Sequence, residues 1–179
     1  MRPPDINHVA LTIDRELLQG EGRERLTRFF GEVFGWRVLD YLTIDGKRLV
    51  FHLYQMTQLL YLVSGPKPAS APSGDHFGIR VYERETIDRM AAAARAFKKS
   101  HPGLTVAPVR QFTDTPRVTG WNTYIRYLLP LSIEIQYFVE KAGAPARNGY
   151  EVTFARPFRR IGPDRYPAIA VSAQKRLGS

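Results

Sequence analysis

INHVALTI at residues 6–13 and DHFGIRV at residues 75–81 decide the fold, because they put one pattern at the start of two similar halves of the chain. Both stretches are short and apolar, as a buried strand requires, and each carries one histidine, His8 or His76. Side chains alternate across a β-strand, so each histidine lies on the face opposite the main apolar residues. We expect the apolar face to cover a helix and the histidine to point to the other side of a sheet.

The same order of elements follows each of these strands. Apolar residues at helical spacing predict helices over residues 23–34 and 83–99, and each helix precedes three short strand patterns. Residues 64–74, SGPKPASAPSG, have the composition of a linker. The sequence therefore predicts an α+β fold in which two paired βαβββ modules, about residues 5–63 and 75–140, form a curved mixed sheet around a cleft. The predicted strands are residues 6–13, 36–41, 48–54, 58–63, 76–82, 104–108, 121–128 and 131–138.

The charge of the chain is unevenly distributed. Its 179 residues carry a net charge of +9, but residues 141–179 hold eight Lys or Arg against two acidic residues. Those residues are predicted to be a basic C-terminal extension, and the body lacks an aromatic-basic RNA-binding motif, so a nucleic-acid partner is not expected. No apolar stretch approaches the roughly 20 residues that span a bilayer. Without cysteine or an apolar leader segment, the default expectation is a cytoplasmic protein with no membrane association.

A third titratable residue, Glu134, interrupts the last strand pattern, LSIEIQYF at residues 131–138. By parity it lies on the face opposite Ile133 and Ile135, as His8 and His76 do in their strands. Two imidazoles and one carboxylate that converge in a cleft suit a divalent metal, and they leave positions open for substrate. The sequence therefore predicts a metal site of His8, His76 and Glu134 in the cleft.

Four phrases in this order resemble the vicinal oxygen chelate superfamily, which includes glyoxalases, extradiol dioxygenases, fosfomycin-resistance enzymes and bleomycin-binding proteins. They are INHVALTI, FFGEVFGW at 29–36, DHFGIRV and IEIQYF at 133–138. The resemblance covers about residues 5–140 and implies a vicinal oxygen chelate domain over residues 1–140, commonly in a homodimer. It places the family's metal ligands at His8, His76 and Glu134.

The chain departs from the family pattern in three places. Between residues 48 and 63 it has no Asp or Glu, so the fourth carboxylate ligand of glyoxalase-like enzymes is missing. LPLS at 129–132 replaces the family's usual turn before the last strand. Residues 105–120 are a long insertion, expected to cover or reshape the cleft.

The three-ligand set favours an extradiol-dioxygenase-like enzyme with Fe(II) or Mn(II), while Zn(II) or Ni(II) would also suit the ligands. In such relatives a tyrosine lies ten residues before the ligand glutamate, and Tyr124 holds that position here. The resemblance also implies a base near the fourth strand. Tyr61 is nearest in position, and His52 is the alternative.

Two other classes remain open from the sequence. A metal-dependent isomerase, lyase or fosfomycin-type transferase would use a basic pocket, for which Arg80 and Arg126 are the candidates. A non-catalytic relative would instead bind an aromatic small molecule by stacking. The aromatic residues assigned to that cleft are Tyr54, Tyr61, Trp121 and Tyr124.

Overall fold

The computed structural model describes residues 6–54, 58–115 and 118–140, without the side chains of residues 114 and 115. The chain divides into two compact units, Met1–Ala144 and Pro145–Ser179. The predicted basic extension, residues 141–179, lies outside the described residues. In the described part of the first unit, no helix is long and apolar enough to cross a membrane.

Each half of this unit contains one long helical segment and a set of short strands. In the first half the helical segment is α1, Gly20–Phe29, which continues as a π-helical turn over Phe30–Phe34. In the second half it is α2, Arg84–Lys98. The strands are β1 His8–Ile13, β2 Arg37–Val38, β3 Arg48–His52, β4 Leu59–Ser64, β5 His76–Arg80, β6 Thr105–Val106, β7 Arg110–Thr115, β8 Val118–Arg126 and β9 Ser132–Glu140.

Each half has a mixed sheet of its own. The first sheet has the order β1-β4-β3-β2, and β1 is parallel to β4 while the other pairs are antiparallel. The second has the order β5-β9-β8-β6, with β5 parallel to β9, and β7 also pairs with β8. The α+β class and the doubled βαβββ order are confirmed, and the strands form two mixed sheets where the sequence predicts one.

The insertion at residues 105–120 differs from its prediction. Much of it forms β7, which pairs antiparallel with β8 and widens the second sheet to five strands. Phe112 of this strand lies against Gly120 of β8, where a methyl group on Gly120 would come within 2.3 Å of the Phe112 ring. The absence of a side chain at Gly120 therefore lets the ring lie on the sheet.

The predicted strand at 36–41 is also shorter, because a 3₁₀ turn, Asp40–Leu42, follows β2.

An aromatic cluster joins the two halves. Phe29 of α1 lies 5.7 Å from Phe97 of α2 and 5.1 Å from Tyr127, measured between ring centroids. All three residues are buried, and they belong to one hydrophobic core that includes residues of both halves. Burial raises the pKa of the Tyr127 hydroxyl, while the nearby charges of Arg25 and Arg28 act in the opposite direction. The halves therefore share a core through their helices although their sheets are separate.

Candidate active site

The site is built on the face of the second sheet that points away from α2. On the helix side the central strands present apolar residues such as Ile125, Ile133 and Ile135, all of them buried. On the opposite face, called here the open face, strand pairing puts Glu134 of β9 between Tyr124 of β8 and Gly78 of β5. Paired residues in neighbouring strands point to the same side of a sheet, so these three residues form one row.

Glu134 is a buried carboxylate with two hydrogen-bond donors on one of its oxygens. Its side chain is 7% exposed, yet one oxygen, Oε1, accepts a 2.6 Å hydrogen bond from the Tyr124 hydroxyl and a 2.7 Å bond from Asn122 Nδ2. The second oxygen, Oε2, lies 3.2 Å from His76 Nε2. A buried charge is costly unless it is hydrogen-bonded, and the two bonds to Oε1 meet that requirement for one oxygen. They also fix the direction in which Oε2 points.

His76 is oriented by its own backbone. Its Nδ1 lies 2.8 Å from the carbonyl oxygen of Gly74, and because a carbonyl only accepts, Nδ1 must carry the hydrogen. A neutral ring has one N–H, so Nε2 then directs a lone pair towards Glu134 Oε2. Two lone pairs at 3.2 Å repel each other unless a cation lies between or beside them. A proton shared by the two atoms or a metal ion bound by both would remove this repulsion.

The geometry of this pair fits a metal. With metal–ligand bonds of about 2.1 Å, two ligands at right angles or at the tetrahedral angle lie about 3.0–3.4 Å apart. The 3.2 Å between His76 Nε2 and Glu134 Oε2 is within that range. The hydrogen bond from His76 Nδ1 to a backbone carbonyl is also the usual support of a metal-binding imidazole. The donor set on the open face therefore suits a divalent cation.

His8, the third predicted ligand, does not join this pair within the chain. It is exposed at the start of β1 in the first sheet, where its Nδ1 lies 2.8 Å from Asn7 Oδ1 and its ring contacts Tyr61 edge-on at 5.5 Å. Throughout the described part of the chain, no group of three His, Asp or Glu side chains is placed to hold a metal. Residue parity correctly gives the face of His8 in its sheet but carries no information about how the two sheets meet.

The two predicted bases, His52 and Tyr61, lie on the same side of the first sheet as His8. Strand pairing connects His8 with Leu59 and Leu59 with His52, so these three form one row. His52 Nε2 is buried and has no hydrogen-bond partner in the structure. An imidazole nitrogen in this state can donate or accept a hydrogen bond, depending on the tautomer, if a polar group is brought to it.

The predicted substrate-binding residues separate into two groups. Arg80 lies on the open face with its guanidinium 5.3 Å from the Tyr82 ring, and Tyr82 in turn contacts Tyr54 of the first half at 5.8 Å. Arg126 shares the open face, and its Nε donates to the carbonyl oxygen of Leu129 at 3.2 Å. Trp121 lies on the other face.

Trp121 is therefore removed from the proposed cleft. It contacts Tyr137 at 5.8 Å and lies under the guanidinium of Arg84 on α2. Its odd position in the strand puts it with Thr123 and Ile125, on the side that the helix covers.

The sequence prediction missed two residues of the site, Asn122 and Tyr82. Asn122 occurs two residues before Tyr124 and so shares its face, which was a usable signal. Tyr82 occurs two residues after Arg80, but nothing in the sequence indicates that Tyr54 of the other half meets it.

Comparison with solved structures finds the same fold in several proteins. A lactoylglutathione lyase from Agrobacterium tumefaciens is 20% identical over 76% of this chain and 96% of its own, with a TM-score of 0.51. A glyoxalase/bleomycin resistance protein from Albidiferax ferrireducens is 16% identical over 74% and 97%, also at 0.51. The fosfomycin resistance protein FosX from Listeria monocytogenes is 12% identical over 76% and 94%, again at 0.51.

These structures have the vicinal oxygen chelate fold, so the fold predicted from the four sequence phrases is confirmed. No protein-family model matches the sequence, and no curated protein matches it.

Proposed function

We propose that this chain, which has the fold of the glyoxalase, bleomycin-resistance and fosfomycin-resistance proteins, is a divalent-metal-dependent enzyme that acts on a small molecule. The observation that carries the proposal is the pair formed by His76 Nε2 and Glu134 Oε2, 3.2 Å apart. One oxygen of Glu134 is held by Tyr124 and Asn122, which leaves the other for a cation.

The third ligand in this proposal is His8 of a second copy of the chain. Among the strands that the structure describes, β1 and β5 each have a partner on one side only, and His8 and His76 are the first residues of these two edge strands. Exposed strand edges are common sites of association between chains. A homodimer in which β1 of one copy lies near β5 of the other would bring His8 towards His76 and Glu134.

The favoured reaction is extradiol ring cleavage, because a set of two histidines and one carboxylate with open positions is typical of non-haem Fe(II) oxygenases. When bound, Fe(II) or Mn(II) would supply Lewis acidity and sites for adjacent substrate oxygens. His52, whose Nε2 is buried and unpartnered, is the better candidate to receive a substrate proton, and Tyr61 is the second. The hydroxyl of Tyr124 holds Glu134 in position.

The reaction is tested by dioxygen uptake with a panel of catechols after anaerobic reconstitution with Fe(II). We expect uptake by the wild-type protein, none by Glu134→Gln, and normal uptake by Glu140→Gln, a matched change at an exposed site of the same strand. If the protein binds stoichiometric metal but takes up no dioxygen, isomerase, lyase or transferase chemistry replaces ring cleavage as the proposed reaction. Absence of bound metal would overturn the enzyme proposal and favour a non-catalytic binding protein.

A further inference from the structure

Gly78 leaves an empty position beside the buried carboxylate. It is exposed on β5, midway between His76 and Arg80, and faces Glu134 across the strand pair. A methyl group on Gly78 would lie 3.4 Å from Gln136 Oε1 and 3.9 Å from Glu134 Oε2. Any larger side chain would fill this space, so glycine keeps open a position next to the proposed metal ligands.

Three arginines of the described residues lie on the open face, and Arg80 is the one on the same strand as Gly78. One row across the sheet runs from Arg80 through Gln136 and Asn122 to Arg110, as the strand pairings show. Arg126 lies on the same face, nearer His76. A guanidinium beside an amide side chain, as Arg80 is beside Gln136, is suited to recognise a carboxylate or a similar planar anion.

Two exposed tyrosines lie next to Arg80. Tyr82 is 43% exposed and Tyr54 is 51% exposed, although large aromatic side chains usually bury more of their surface. Their rings contact each other, and the Arg80 guanidinium lies over the Tyr82 ring. An aromatic surface beside a cation suits a ligand that has both a flat ring and a negative charge.

We infer that Gly78, Arg80, Gln136, Tyr82 and Tyr54, called here the anion slot, bind an aromatic carboxylate as the substrate class of this enzyme. The carboxylate meets Arg80, whose guanidinium lies over the Tyr82 ring, and the aromatic ring of the ligand lies over Gly78 towards His76 and Glu134. From His76 to Arg80 the strand spans about 13 Å, enough for a molecule with one ring between the metal ligands and the arginine. The assignment of the anion slot as a substrate site rests on the proposed function, but binding of a ligand to the slot needs no metal.

The slot is tested on metal-free, ¹⁵N-labelled full-length protein by NMR titration with benzoate and with its neutral analogue benzamide. We expect benzoate to shift the amide signal of Gly78 and to bind about tenfold more tightly than benzamide, since a charge-assisted hydrogen bond is lost in the amide. Arg80→Gln should weaken benzoate binding about tenfold and leave benzamide unchanged. Arg84→Gln, on the helix side of the sheet, is the matched control and should change neither.

Equal affinity for the two probes, or an unchanged benzoate affinity in Arg80→Gln, would overturn the inference. Gly78→Val adds a second variant that should abolish binding of both probes, because its side chain fills the slot, and its thermal unfolding shows whether it is folded. Because the titration contains no metal, its result is independent of the metal assay. If the protein binds benzoate but no metal, the anion slot stands and the enzyme proposal is overturned. If it binds metal but no benzoate, the enzyme proposal stands and the anion slot is overturned.

Discussion

Tyr124 and Glu134, ten residues apart, face each other across β8 and β9, and the tyrosine hydroxyl donates a 2.6 Å hydrogen bond to the carboxylate. The turn between the strands keeps both residues on the open face. Asn122, on the same face, donates the second bond to the same oxygen at 2.7 Å. The two donors orient Glu134 so that its other oxygen points towards His76, and the proposed metal site depends on this orientation.

Removing the Tyr124 hydroxyl should weaken metal binding without unfolding the protein. Tyr124→Phe keeps the ring but loses one donor to Glu134, and loss of such an outer contact costs about 10–100-fold in metal affinity. Calorimetric titration with Mn(II) measures the change. Tyr137→Phe, on the other face of the same sheet, is the control and should bind metal normally. Equal affinities in the two variants would show that Tyr124 does not support the carboxylate.

Asn122→Ala should reduce metal affinity in the same way, because it removes the second donor to Glu134 Oε1. The double variant with Tyr124→Phe should lose more than the sum of the two single losses, since each remaining donor still holds the carboxylate in place. Strict additivity in the same titration would mean that the two donors act independently.

The aromatic core predicts a pH effect on stability. Burial raises the pKa of Tyr127 in the folded protein, whereas the unfolded chain has the ordinary value near 10.0. Above that pH the unfolded state loses the proton first, so the free energy of unfolding should fall as pH rises through and beyond 10. Urea unfolding at pH 8 to 11 measures this free energy, and its fall with pH should be smaller in Tyr127→Phe. The exposed control Tyr41→Phe should show the same fall in the free energy of unfolding as the wild type. An equally large fall in Tyr127→Phe would exclude Tyr127 as the source of the pH effect.

Two glycines of the first helical segment make a matched pair. A methyl group on Gly22 would lie 2.2 Å from the backbone oxygen of Glu16, but on Gly31 the nearest atom is 3.9 Å away. Gly22→Ala should therefore destabilise the fold by about 1–3 kcal/mol through the forced backbone shift. Gly31→Ala should be neutral or stabilising by up to about 1 kcal/mol, because alanine favours the helix. Chemical unfolding compares them, and similar effects of the two changes would contradict the packing described for Gly22.

Strand parity explains how much of the site the sequence could predict. His76, Glu134 and Tyr124 were assigned correctly to one face because alternation fixes the side of each residue and the short turn keeps the strands in register. The same rule, applied to Trp121, would have excluded it from the cleft. β7 was missed because residues 105–120 contain prolines and polar residues in place of a strand pattern. The relative placement of His8 and of Tyr54 depends on packing between the halves, which local patterns do not encode.

The metal content of mixed variants tests the central claim most directly. His8→Ala and Glu134→Gln should each purify without stoichiometric metal. When the two are unfolded together and refolded as mixed dimers, the copy with intact Glu134 meets the copy with intact His8, so one site in two is restored. We predict that metal returns to about half of the wild-type content in the isolated mixed dimer. Full metal in either single variant, or none in the mixed dimer, would contradict a site shared by His8, His76 and Glu134.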